Sequence, residues 1–197
     1  PVASLNPYVI GVREDPKYKI SRYFDTYDKQ GKLVQYHDQD GDTVSYIYGS
    51  GYLPIAEIYK AGYSKENRKS EVYFQNFEGN VNCDLAWAKS GRKAVQGPYN
   101  VFLSILKPGE YQMSYWKSTD GGKTWDKVET PLTIDTFNPE DRVVIGDKSC
   151  YIDDIIIAPA KARIKSCGYL RGVGKVSETD YNGNTTYYAY DRFGRLI

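Results

Sequence analysis

The groups in this sequence that could do chemistry are few. His37 is the single histidine and sits in Tyr36-His37-Asp38 at the start of a turn, where an imidazole is expected to be solvated. Three cysteines, Cys83, Cys150 and Cys167, are odd in number, too few for a disulfide framework, and match no zinc spacing. A buried thiol is the expectation for each. Two adjacent carboxylate pairs, Glu140 with Asp141 and Asp153 with Asp154, have the acids that glycoside hydrolysis needs. Neighbours along a strand point to opposite faces, however, so neither pair is expected to face one substrate. Gly-rich phosphate loops, metalloprotease helices and basic stripes are missing from the sequence. The expectation is a protein that is not an enzyme.

What the chain has in excess is aromatic surface. Twenty Tyr, six Phe and three Trp accompany 26 Lys and Arg against 25 Asp and Glu, a net charge of +1. Cancelled charge provides no bulk field for nucleic acid or an anionic membrane, so neither partner is expected. No run reaches the roughly 18 apolar residues of a membrane helix, so membrane insertion is not expected either. Pro1-Val2-Ala3-Ser4 has no basic region followed by an apolar stretch; a targeting segment is expected upstream, in a larger exported protein.

The elements that must position these residues read as strands. Tyr18 to Tyr27, Lys32 to Tyr36 and Thr43 to Tyr48 are strand-like, divided by the turns Asp28-Lys29-Gln30-Gly31 and Asp38-Gln39-Asp40-Gly41-Asp42. Tyr8-Val9-Ile10 is a weaker strand signal, and Ile55 to Ile58 follows the break at Gly49 to Pro54. At the far end, an Asn-Gly turn at 182–183 precedes the aromatic run Thr185 to Tyr190. Tyr27-Asp28-x-x-Gly31-Lys32-Leu33 then matches Tyr190-Asp191-x-x-Gly194-Arg195-Leu196, an internal repeat.

These segments resemble the YD repeats of RHS-type proteins, which are large exported or surface-attached bacterial proteins whose hairpins join into a long sheet or hollow shell. The resemblance covers about Tyr23 to Ile58 and Lys175 to Ile197, and departs from the pattern at Gly49, where a second Tyr-Asp is expected. It implies an extracellular or cell-surface location and, as partners, further YD-repeat strands of a parent chain.

Between the repeats, Val72 to Gly79 and Cys150 to Ile157 bracket short strand-like segments, the pattern of an all-β sandwich. Four pieces resemble jelly-roll carbohydrate-binding modules of galactose-binding-like fold: Asn76-Phe77-Glu78-Gly79, Ala88 to Ala94, Pro108 to Trp116 and Tyr151-Ile152-Asp153-Asp154-Ile155. The predicted organisation is therefore all-β: a YD-repeat-like hairpin segment over 1–69, an inserted jelly-roll sandwich over 70–159, and a second YD-repeat-like segment over 160–197. The two flanking segments are expected to lie against each other.

The resemblance to such modules implies a glycan partner held on an exposed aromatic platform, with a few polar groups for the hydroxyls. Trp87, Trp116 and Trp125 are the candidate platforms; the alternative for each is a buried anchor. Alternation places Tyr111, Met113 and Tyr115 on one strand face and Gln112, Ser114 and Trp116 on the other. Some relatives of this fold hold a structural calcium where first and last strands meet. Glu78 and Asp153 fall on those positions, though Asp153 accepting backbone N–H groups is the simpler role. No other cofactor is expected. Ser118-Thr119-Asp120-Gly121-Gly122-Lys123-Thr124-Trp125 resembles the Asp box of sialidase-like propellers and is read as a turn device.

The expected function is non-catalytic binding, of carbohydrate, or structural support within an exported or cell-surface repeat protein. A passive spacer in an RHS-type shell is the alternative, and a sialidase- or glycosidase-type hydrolase ranks third.

Overall fold

The computed structural model describes residues 21–49, 52–66, 69–79, 83, 88–135 and 138–197. The strand signal at Tyr8 to Ile10 and the start of the run at Tyr18 lie outside these residues. Fourteen β-strands and one short 3-10 turn at Leu103–Ile105 make up the described structure. The all-β expectation holds.

Four turns of one design set the register of the outer sheet. Asp28, Asp38, Asp180 and Asp191 each accept two N–H groups on Oδ1, from the residues two and four positions on, at 2.8 to 3.0 Å. Each is followed three residues later by a glycine at positive φ, from 77° to 85°. That left-handed geometry lets the glycine N–H return to the aspartate carbonyl. The turns join β1 (Arg22–Tyr27) to β2 (Leu33–Asp38), β2 to β3 (Thr43–Tyr48), and β13 (Gly174–Thr179) to β14 (Thr185–Tyr187). The fourth closes the bridge between Tyr190 and Leu196.

The expected aromatic strand from Thr185 to Tyr190 is shorter as found, ending at Tyr187. Two strands that the sequence did not announce complete the sheet: β12 (Arg163–Leu170), with Ser and Gly at its centre, and β13. Because β12 pairs with β4 (Pro54–Tyr59), the two tyrosine-rich segments form one seven-stranded antiparallel sheet, β1-β2-β3-β4-β12-β13-β14.

Residues between β4 and β12 build two further layers. β5 (Tyr73–Gln75) and β6 (Val95–Gln96) pair with one edge of β11 (Tyr151–Ala158). The other edge of β11 carries β8 (Gly109–Ser118), and β9 (Asp126–Ile134) follows on β8. Opposite this five-stranded sheet lies a ribbon of β7 (Tyr99–Phe102) and β10 (Arg142–Ile145). Tyr111, Met113, Ile152, Ile155 and Ile157 from the sheet meet Val101 and Ile145 from the ribbon, with Phe77 fully buried among them. Phe77 reaches that place at a φ of 60°, its ring edge-on to Tyr99 at 5.0 Å between centroids.

A second apolar cluster joins the layers. Ile47, Ala56 and Ile58 of the seven-stranded sheet pack on Val72 and Ala158, with Ile156 and Phe74 beside them. β11 therefore presents Ile155 and Ile157 to one core and Ile156 and Ala158 to the other, as strand alternation requires.

Candidate ligand-binding groove

β8 runs through the middle of the molecule and shows the alternation read from its sequence. Tyr111 and Met113 enter the inner core, Tyr115 packs against it, and Gln112, Ser114 and Trp116 face the other way. Those three line a groove of about 240 Å³ between the five-stranded and seven-stranded sheets. Lys127 and Glu129 of β9 lie on the same side, held to one another at 2.6 Å. The far wall comes from β12, with Arg163, Ile164 and Ser166, and from the β13–β14 turn, with Asp180, Tyr181 and Asn182.

Within β11, strand alternation against β8 fails at one point, and the site depends on it. Between Asp153, which lies opposite Trp116, and Ile156, opposite Ser114, β11 carries one residue more than β8. Asp154 takes up that bulge at a φ of 45°. Ile152 and Ile155 both stay in the inner core, so Asp153 and Asp154 are left together on the opposite side. The expectation that these neighbours point apart is overturned: both carboxylates converge on Ser90. Its N–H reaches Asp153 Oδ2 at 3.1 Å and its hydroxyl donates to Asp154 Oδ1 at 2.9 Å.

Asp153 is completely buried. Its oxygens accept the N–H groups of Lys89 at 2.9 Å, of Ser90, and of Asp154 at 2.8 Å. Glu78 does parallel work on the same loop, where Oε1 takes the N–H groups of Arg92 and Lys93, each at 2.7 Å. Both residues named as calcium ligands thus hold the 89–93 loop through its backbone. Among the described residues no group of three His, Cys, Asp or Glu side chains is placed to hold a metal ion.

Burial pushes all three carboxyls upward. The Asp154 carboxyl rises to about 6, against the Ser90 hydroxyl and the Lys89 ammonium, which hold it down. Asp153 is raised by burial first and then by charge on Asp154, in opposition to its N–H donors. Glu78 is raised by burial against the Arg92 and Lys93 N–H groups.

The 89–93 loop is fastened from the other sheet as well. Gly91 donates to Ser177 Oγ at 2.8 Å, and the Tyr187 hydroxyl donates to the Lys89 carbonyl. A β-carbon on Gly91 would lie 2.5 Å from the Glu78 carboxyl, and one on Gly168 would lie 2.8 Å from Gly91 Cα. The loop is gripped closely on both sides. It delivers the Lys89 ammonium to 4.4 Å from the centroid of the Trp116 ring.

Of the three candidate platforms, then, Trp116 is in the groove, half-buried and capped by Lys89. Trp125 is half-buried in the turn after β8, its Nε1–H donated to the Gly122 carbonyl at 3.1 Å, and it does not line the groove. Trp87 lies outside the described residues. The Asp120 motif folds as a turn: Oδ1 accepts from Ser118 Oγ, Lys123 N–H and Thr124 N–H, and the Thr124 hydroxyl donates to Oδ2.

His37 differs from its expected place. It lies in β2 rather than a turn, stacked on Tyr23 at 4.7 Å with Nδ1 at 2.8 Å from Asp25 Oδ1. Cys150 is buried, whereas Cys83 and Cys167 are half-buried. Sequence reasoning missed Lys89, Ser90 and Asp154 as site residues. Only the unusual Asp-Asp pair within a β-branched strand could have signalled them.

Compared with known proteins, the chain matches no family model and no curated protein.

Proposed function

We propose that this chain is a non-catalytic, carbohydrate-binding segment of a large exported or cell-surface repeat protein. On this reading the 70–159 segment is a jelly-roll binding module carried on YD-type hairpins, and the groove is its sugar site. The observation that carries it is Trp116 on the wall of an inter-sheet groove of about 240 Å³ among polar side chains. An aromatic ring supplies a flat apolar contact for a pyranose, and Gln112, Ser114, Ser166 and Asn182 supply the donors and acceptors that hydroxyls need.

The test is a glycan array probed with the whole chain, followed by calorimetry on any sugar retained. Trp116→Ala is expected to weaken binding about tenfold or more, while Trp125→Ala, outside the groove, leaves it unchanged. Sugars bound equally well by the Trp116 variant would refute the groove as the site. A reporter-glycoside assay is expected to show no turnover.

The spacer reading is favoured by a different observation: Lys89 already covers the Trp116 ring, as in a packed interior. Under it no sugar on the array binds, and the four Asp-x-x-Gly turns serve only to pair the hairpins with further repeats.

A further inference from the structure

We propose that the groove takes an ammonium-bearing sugar, and that the Lys89 side chain is the chain's own stand-in for the ligand's cation. The inference rests on the sugar-binding reading of the same groove and adds the chemical class of the ligand. Two groups meet there that together favour a cation. The Trp116 ring offers its negative face, and a positive charge already occupies it at 4.4 Å. Beside it, Asp154 lines the groove although only 4% exposed.

A carboxylate so buried is costly to desolvate unless a positive group compensates it, and a neutral sugar brings none. The Lys89 ammonium lies over the Trp116 ring from beside the groove, whose lining holds both Trp116 and Asp154, and its field opposes the rise of the Asp154 carboxyl. Other charged groups are differently engaged. Lys127 is held by Glu129 at 2.6 Å, the Asp180 carboxylate closes its own turn, and Arg163 stands on the opposite wall. Asp153 and Glu78 face the same loop with their oxygens given to its N–H groups.

The backbone agrees with a site built for a purpose. Asp154 is held in left-handed geometry, which a non-glycine residue adopts at a cost, and this conformation is what turns its side chain to the groove side of β11. The ammonium sits on a side chain, so a ligand can displace it by rotation of Lys89 while the loop backbone stays fastened to Asp153, Ser177 and Tyr187.

The experiment is isothermal titration calorimetry of the whole chain, on the alkaline side of the Asp154 carboxyl's value of about 6. The probes are an N-acetylglucosamine oligomer and the same oligomer carrying N,N,N-trimethylated amines, a permanent cation. The cationic probe is expected to bind about tenfold more tightly than the acetylated one. Asp154→Asn, which keeps the shape and tolerates the left-handed backbone, is expected to abolish the preference. Lys89→Met, which removes the internal competitor, is expected to tighten the cationic probe severalfold.

Equal affinity for the two probes overturns the ammonium inference and leaves the sugar-binding reading standing. Binding of neither probe to wild type or Lys89→Met overturns the inference, and a glycan array blank for all sugars overturns the sugar-binding reading with it. Should Asp154→Asn not fold, Lys89→Met decides alone: no gain for the cationic probe counts against the inference.

Discussion

Asp154 links the groove to pH. In an unfolded chain its carboxyl titrates near the ordinary 3.8, and burial raises it to about 6 in the folded protein. Between those values the folded state keeps a proton that the unfolded state releases, so this residue's contribution to stability falls as pH rises through that window and levels off above it. Asp153, raised by the same burial, acts with the same sign. Asparagine mimics the protonated acid. Asp154→Asn is therefore expected to gain on wild type, by on the order of 2 kcal/mol, between urea titrations at about pH 4 and about pH 8. An unchanged difference between the two pH values would show that the carboxyl is not shifted. At the same scale Trp116 and Trp125 stand as their sequence contexts indicated: one, on the alternating strand β8, faces the groove, and the other, in the Asp-box stretch, closes a turn.

Turns are the element on which the outer sheet depends, and they respond oppositely to acid. N–H donors hold Asp28, Asp180 and Asp191 below the usual carboxylate range. Their support for the hairpins is present at neutral pH and is lost as pH falls through those lowered values. Amide exchange of Gly31, Gly183 and Gly194 is expected to accelerate in strong acid before that of β11. Gly31 tests the turn backbone cleanly, because a β-carbon there meets nothing within 4 Å while φ is 78°. Gly31→Ala is expected to cost about 1 kcal/mol, the left-handed penalty alone. Gly79→Ala, in equally open space without a positive φ, is expected to change the denaturation midpoint little. These turns were legible in sequence because every bond in them closes within five residues. β12 was not: Arg163–Leu170 carries Ser166 and Gly168 where a strand signal wants branched or aromatic residues. Gly168 is there because the Gly91 loop crosses it.

At the scale of the molecule, the seven-stranded sheet and the β11 layer are joined by an apolar cluster and by the 89–93 loop wedged between them. A β-carbon at Gly168 would meet Ser177 Oγ at 2.6 Å and Gly91 Cα at 2.8 Å. Gly168→Ala is expected to destabilise the protein by on the order of 1–3 kcal/mol, and to change Trp116 fluorescence as Lys89 moves with its loop. Ile58→Ala, fully buried in the joining cluster, is expected to cost about 2–5 kcal/mol in urea unfolding. Loss of stability without a change in Trp116 emission for Gly168→Ala would mean that the loop does not govern the ring's surroundings.

The sequence by itself determined the all-β class, the Asp-x-x-Gly turns and the alternation of β8, since each is written in side chains a few positions apart. That the two tyrosine-rich segments lie against each other was expected from the insertion between them and holds. Only the tertiary structure decided that β12 is the strand that joins them into one seven-stranded sheet, and that Asp153 and Asp154 face the same way. Apart from its β8 wall, the groove belongs to that second set. Its defining bonds join Lys89 to Asp153, Gly91 to Ser177 and Tyr187 to Lys89, across 64, 86 and 98 residues. No local propensity encodes contacts of that length; they follow from how three layers pack around a single bulge in β11.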